Sequence, residues 1–223
     1  MAQINGKETR ERILDSAEAA FADDGFGGAR ISRIAKRAGV TGAMVHYYFG
    51  TKEVLHRAVL DRMVADLLEL VAGIAPKPID PVEKLQRFFL GFFDYNARHR
   101  NFSRLTSMET GHDNRDYFLN LVRTYFRPQY DLARDFFLRG MAAGVFRQVD
   151  PDHLLTAIWG MITAYFSDSP FLEVLIGETV MKRDLVRKRR EMLMDMILRM
   201  LLRDPDSAGL PVLDAPPPRK KKK

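Results

Sequence analysis

The chain has 223 residues, 46% hydrophobic and 29% charged, so it can bury a core as one or two domains and is too apolar to be intrinsically disordered. It has no cysteine, which excludes a disulfide scaffold, cysteine-ligated zinc and thiol catalysis together. The net charge of +6 hints at a polyanionic partner, and the placement of the bases says more. Residues 25–57 carry six bases (Arg30, Arg33, Lys36, Arg37, Lys52, Arg57) against one acid, Glu53. Residues 182–190 carry six against Asp184 and read as a solvated helix face, and the basic run 219–223 reads as a solvated tail. The longest uncharged runs, such as residues 154–167, stop at 14 residues, below the roughly 18 a membrane span needs. The opening residues alternate in sign, unlike a leader. A soluble, cytoplasmic globular protein is expected, with no membrane partner.

Apolar spacing is helical almost throughout. Ile13, Leu14, Ala17, Ala20 and Phe21 form one stripe, which Gly25, Gly27 and Gly28 interrupt. Ile31, Ile34, Ala35 and Ala38 repeat the pattern in a short second helix ended by Gly39, and a third short helix over residues 43–49 buries Val45 and Phe49. Thr51 caps a longer fourth through Leu55, Val59, Met63, Leu67 and Val71. The Pro-rich residues 76–80 read as a linker. Asp80-Pro81 and Asp150-Pro151 each combine a capping carboxylate with proline at the first helical position. Asn101 is expected to cap a short helix to about residue 110. A long helix from Asp113-Asn114 to Phe137 should kink at Pro128, and a last helix should span about residues 182–203. No strand alternation or repeat appears, so an all-α fold of about nine helices is expected.

The informative stretch is residues 31–49. Two short helices around a glycine turn make a helix-turn-helix. Gly39 supplies a left-handed turn residue, Val40 plugs the gap between the helices, and Thr41 caps the second helix with its amides aimed at a phosphate. Gly42 and Ala43 leave the start of that helix unshielded, which suits close approach to a major-groove floor.

Ile34-Ala35, Ala38-Gly39-Val40-Thr41, His46-Tyr47-Tyr48-Phe49 and Thr51-Lys52-Glu53-Val54-Leu55 together resemble the DNA-binding signature of the TetR family of transcriptional repressors. The specific match covers about residues 9–57; the rest is similar only in length and helical character. The resemblance implies that Gly42, Ala43 and Met44 read bases, that Tyr47 or Tyr48 gives a hydroxyl to a phosphate, and that Lys52 binds phosphate. It places Ser32 and Arg33 on the outward face of the first motif helix, where they contact backbone and sometimes a base. His46 stands where most members have a backbone-gripping aromatic. Arg30 stands where a capping threonine is usual, which weakens that cap and adds a phosphate contact. With almost no hydrogen-bonding side chain at Gly42 and Ala43, readout leans on Met44, Arg33 and DNA shape.

For the remainder, the resemblance implies a cavity for a small apolar or aromatic effector. Candidate wall residues are Phe88, Phe92, Met108, Tyr117, Leu121, Tyr125, Trp159 and Tyr165, with Tyr125 and Tyr165 best suited to orient a ligand. Ordinary core accounts for most residues of these stripes. Glu109, His112, Asp113 and Asp116 crowd together, but Gly111 makes the segment read as a helix end and solvated loop, not a metal site. There is no Gly-rich phosphate loop, nucleophile elbow or HExxH motif, so neither enzymatic activity nor a cofactor is expected.

A single recognition helix covers few base pairs, so a two-fold homodimer on palindromic double-stranded DNA is expected. By the resemblance, helices over about 151–166 and 182–202 form the intersubunit bundle. The expected division is a DNA-binding domain at 1–52, a ligand-binding and dimerisation domain at 53–203, and a disordered basic tail at 204–223. The expected function is a repressor released from its operator by a small-molecule effector, with the fourth helix transmitting the change. The alternative is a ligand-independent architectural DNA-binding protein.

Overall fold

The computed structural model describes residues 6–74, 79–109 and 115–204. In chain order the elements are α1 (Gly6–Gly28), α2 (Ile31–Ala38), α3 (Gly42–Phe49), α4 (Lys52–Ile74), α5 (Pro81–Arg98), α6 (Asn101–Glu109) and α7 (Arg115–Leu121). A π-helical turn (Val122–Phe126) leads into α8 (Arg127–Ala142), followed by α9 (Pro151–Ser167), α10 (Ser169–Ile176) and α11 (Arg183–Leu201). Among the described residues the β contact is a single antiparallel bridge between Phe146 and Leu202, so the fold is all-α as expected. None of the helices among the described residues is long and apolar enough to cross a membrane.

The expected stripes are the buried ones. Ile13, Leu14, Ala17, Ala20 and Phe21 of α1 pack with Ile34 and Ala35 of α2, Val45 and Phe49 of α3, and Leu55 and Val59 of α4. The same core continues through Leu85, Phe89 and Phe93 of α5 to Ile158 and Ile162 of α9 and Leu193 and Ile197 of α11. Gly25 breaks α1 with φ of 69°. Both Asp-Pro starts form: Asp80 accepts from the amides of Val82 and Glu83, and Asp150 from those of Asp152 and His153. Two backbone donors hold the Asp150 carboxyl below the usual carboxylate range, the larger effect coming from His153.

Four features depart from the expectation. The long helix around Pro128 is divided into α7, the π turn and α8, because proline lacks an N–H and crowds the preceding carbonyls. The wide turn absorbs this, with Arg127 N–H bonding to Val122 O, five residues back. The second is α10, a separate helix opened by Ser169-Pro170, which, with the divided long helix, brings the described α-helices to eleven. Third, Asn101 is the first residue of α6 and does not act as its cap; its amide donates to Glu18 of α1 at 3.1 Å. Fourth, the 182–190 run is not simply a solvated face. Arg190 grips Asp94 of α5 through two bonds of 2.7 and 2.9 Å, and Arg189 donates to Met161 O of α9 while its guanidinium lies over the Tyr165 ring. Residues 76–78 of the expected linker, His112 and Asp113 of the acidic cluster, and residues 205–223 of the tail lie outside the described residues.

Candidate nucleic-acid interface and cavity

The first three helices present one exposed edge. Gly39, at φ 67° and ψ 36°, makes the left-handed turn, and its N–H returns to the end of α2. Thr41 Oγ1 accepts from Met44 N–H at 3.2 Å, closing the first turn of α3. Val45 and Phe49 are buried inward, which leaves Ala43, Met44, His46 and Tyr47 exposed on the opposite side and Gly42 and Tyr48 half-buried. Tyr47 is 84% exposed and meets Tyr48 edge-on at 5.3 Å. Apart from that edge contact the ring stands in water, and its hydroxyl is open to a partner.

The supporting charges are partly preoccupied. Arg33 pairs with Asp24 of α1 at 2.6 Å, yet its side chain remains 60% exposed. Arg30 is the N-cap of α2 and makes no side-chain cap bond, in keeping with a weak cap there. Ser32 is exposed beside it. Lys52 Nζ sits 4.7 Å from the Phe26 ring centroid and 3.4 Å from Gly27 O, so the lysine is aimed across the start of α4. Neighbouring Glu53 stays anionic, held below the usual carboxylate range by its own N–H and the Thr51 hydroxyl. His46 Nδ1 donates to Gly50 O at 2.7 Å. Nε2 of the neutral ring is therefore an acceptor, and it donates to a phosphate only as imidazolium. Lys36 and Arg37, exposed in the last turn of α2, and Arg10, over the Phe49 ring, share this end of the molecule and were not among the expected site residues. The local excess of bases was the signal for the first two.

The second feature is a cavity of about 590 Å³ between α4, α5, α6, the α7–α8 segment and α9. Of the expected wall residues, Phe88, Phe92 and Trp159 line it, and the Phe92 and Trp159 rings stack at 5.2 Å. Met108, Tyr117, Leu121, Tyr125 and Tyr165 are not in its wall. The π turn explains part of this. Each four-residue step overshoots an α-helical turn of 3.6 residues, and the wider turn removes the overshoot, so Phe118, Val122, Phe126 and Tyr130 stay in line on the cavity. Leu121 falls on the next face against Leu60 and Val64 of α4, and Tyr125 is left 42% exposed. Tyr117 donates to Asp61 at 2.6 Å; burial first and that bond second push its hydroxyl up to about 12. Tyr165 is buried on the other side of α9, donating to Val180 O, and desolvation raises its pKa. Met108 lies just past Ser103, Thr106 and Ser107, the α6 residues that reach the cavity. Most wall residues that sequence reasoning missed are apolar ones on the same stripes, such as Leu67, Phe89, Phe118 and Phe126, which look like core in sequence; the others are hydroxyls and Gln129, which carry no apolar periodicity.

The helix-turn-helix edge matches the family of bacterial regulatory proteins called tetR over residues 13–59, and residues 81–197 match the tetracyclin repressor-like C-terminal domain. The chain belongs to the TetR family. This TetR-family protein is a DNA-binding transcriptional regulator. It is 29% identical over 185 residues to the HTH-type transcriptional repressor NicS of Pseudomonas putida, across 79% of this chain and 86% of that one. It is 25% identical over 171 residues to the HTH-type transcriptional regulator RutR of Escherichia coli, across 77% and 80%. The ketosteroid transcriptional regulator KstR2 of Mycobacterium tuberculosis shares the TetR-family fold, with a TM-score of 0.70 at 18% identity over 87% of this chain and 95% of that one.

Proposed function

We propose that this regulator is a cytoplasmic, non-enzymatic repressor that binds palindromic double-stranded DNA as a homodimer and is released by a small-molecule effector held in the 590 Å³ cavity. The observation that carries the reading is the double engagement of α6. It lends Ser103, Thr106 and Ser107 to the cavity, while Asn101 bonds to Glu18 and Arg104 to Asp23, both on α1 of the DNA-binding head. A ligand that shifts α6 therefore shifts the head. In this reading Met44, Tyr47, Lys52 and Arg33 carry the DNA contacts, with Arg33 leaving Asp24 for a phosphate or base.

The dimer is supported by apolar surface with no covering in the monomer. Met192 and Met196 of α11 are 36% and 47% exposed, and Phe171, Val174 and Leu175 of α10 are 64%, 82% and 61% exposed. Ala157 is exposed on α9 just before Gly160, where an added Cβ would meet open space, so a second helix has room to approach closely. Selection of sites from a random duplex library by the full chain, followed by measurement of the mass of the complex, tests the proposal. A two-fold symmetric site bound by two chains is expected. Enrichment of no sequence over random duplex would identify an architectural binder instead.

A further inference from the structure

We propose that the cavity selects an uncharged aromatic ring compound that carries a hydrogen-bond donor, and that it rejects anions and cations. This rests on reading the cavity as the effector site and adds the chemical class of the effector. Three observations carry it.

First, none of the described residues that line the cavity is Asp, Glu, Lys, Arg or His. A charged ligand seated against this wall would give up hydration with no counter-charge in the wall to replace it, which is a costly kind of burial. Second, the apolar wall is aromatic and partly flat. Trp159 lies nearly parallel to Phe92, with 27° between the ring planes, and Phe88 and Phe126 add further ring surface. Offset stacking on such faces favours a planar guest.

Third, the polar groups are biased toward accepting. A hydroxyl has one hydrogen and two lone pairs. Thr106 directs its hydrogen to carbonyls of α6, Thr156 to Asp152 O, Thr163 to Trp159 O, and Tyr130 to the Asp152 carboxylate. Each hydrogen is spent inside the protein, so what these hydroxyls present to a guest is oxygen lone pairs. Those lone pairs repel a carboxylate and welcome an O–H or N–H. The Gln129 side-chain amide, which makes no hydrogen bond among the described residues, adds a second acceptor and the cavity's free donor.

Isothermal titration of the full chain at pH 7 with four naphthalenes of one shape tests this: 2-naphthol, 2-methoxynaphthalene, 2-naphthoate and 2-naphthylmethylammonium. 2-Naphthol is expected to bind at least about tenfold more tightly than either ion. It should also bind about threefold or more tighter than the methyl ether, which keeps the ring and loses the donor. Filling the cavity with Thr163→Trp, or with Ala133→Phe should the first variant fail to fold, is expected to abolish the naphthol heat. Equal or tighter binding of an ion overturns the exclusion of charge, and equal or tighter binding of the ether overturns the donor requirement. Naphthol binding untouched by a folded filled variant, or no heat from any probe up to about 1 mM, overturns the whole assignment. Selective naphthol binding that leaves DNA affinity unchanged upholds the chemical class and instead sinks the effector reading.

Discussion

At the scale of single residues, the exposed edge of the helix-turn-helix separates side chains that hold the head together from those left for a partner. Thr41 and Gly39 set the turn, and Val45 and Phe49 fix α3 to the core. Tyr47 and Met44 are left outside. Lys52 stands between the groups, with its ammonium over Phe26. Lys52→Met keeps the apolar stem and removes the charge. The slope of log affinity against log salt should shrink by about 0.9 for each lost phosphate contact, so by about 1.8 for a dimer, with base preference unchanged. Fluorescence anisotropy across a salt series measures this, and an unaltered slope would place Lys52 off the DNA. The identities of these residues were legible in the sequence because spacing and chemistry coincide in a short segment. The pairing of Arg33 with Asp24 and the His46–Gly50 bond were not, since both depend on where side chains point after the turns are made.

At the scale of elements, one close approach and one widened turn decide what the periodic pattern could not. Gly140 in α8 lies directly beneath the fully buried Phe146, whose ring occupies the space a Cβ would need. An alanine in a helix interior ordinarily stabilises by about 1 kcal/mol relative to glycine. Here the backbone gain is outweighed by overpacking, and Gly140→Ala should lower stability by about 1–3 kcal/mol in urea denaturation. A midpoint that rises instead would show that the ring moves aside without cost. The π turn is the other case. Pro128 announced a disturbance, but a kink and a wide turn turn different faces toward the cavity. The wide turn places Phe126 and Tyr130 in the wall and leaves Tyr125 outside it.

At the scale of the molecule, the head is joined to the rest through two helices. Arg62 of α4 binds Asp15 at 2.7 Å, Glu18 at 2.8 Å and Glu11 at 3.3 Å, all on α1, and these acceptors raise the arginine's pKa against the opposing effect of burial. α6 adds the Asn101–Glu18 and Arg104–Asp23 ties. The expected route through α4 therefore has a parallel one that starts in the cavity wall. Replacing Asn101 and Arg104 together with alanine should leave ligand affinity within about twofold. It should also reduce the ligand-induced loss of DNA affinity, a coupling usually worth about 1–3 kcal/mol, by more than half. Parallel DNA and ligand titrations read both numbers; full coupling in the double variant would return transmission to α4 alone.

The sequence by itself determined the all-α class, the two Asp-Pro helix starts, the Gly39 turn, the core stripes and the helix-turn-helix. Each is encoded within a few residues: a period of apolar side chains, an Asp-Pro start, a glycine between short helices. Only the tertiary structure decided which aromatic residues wall the cavity, that the hydroxyls of Thr106, Tyr130, Thr156 and Thr163 donate within the protein, and that α6 connects the cavity to the head. Those properties arise where helices distant in the chain meet. There the rotation of one helix about its axis chooses between neighbouring faces that look equally apolar in sequence, and ion pairs such as Arg104–Asp23 span 81 positions that no local pattern relates.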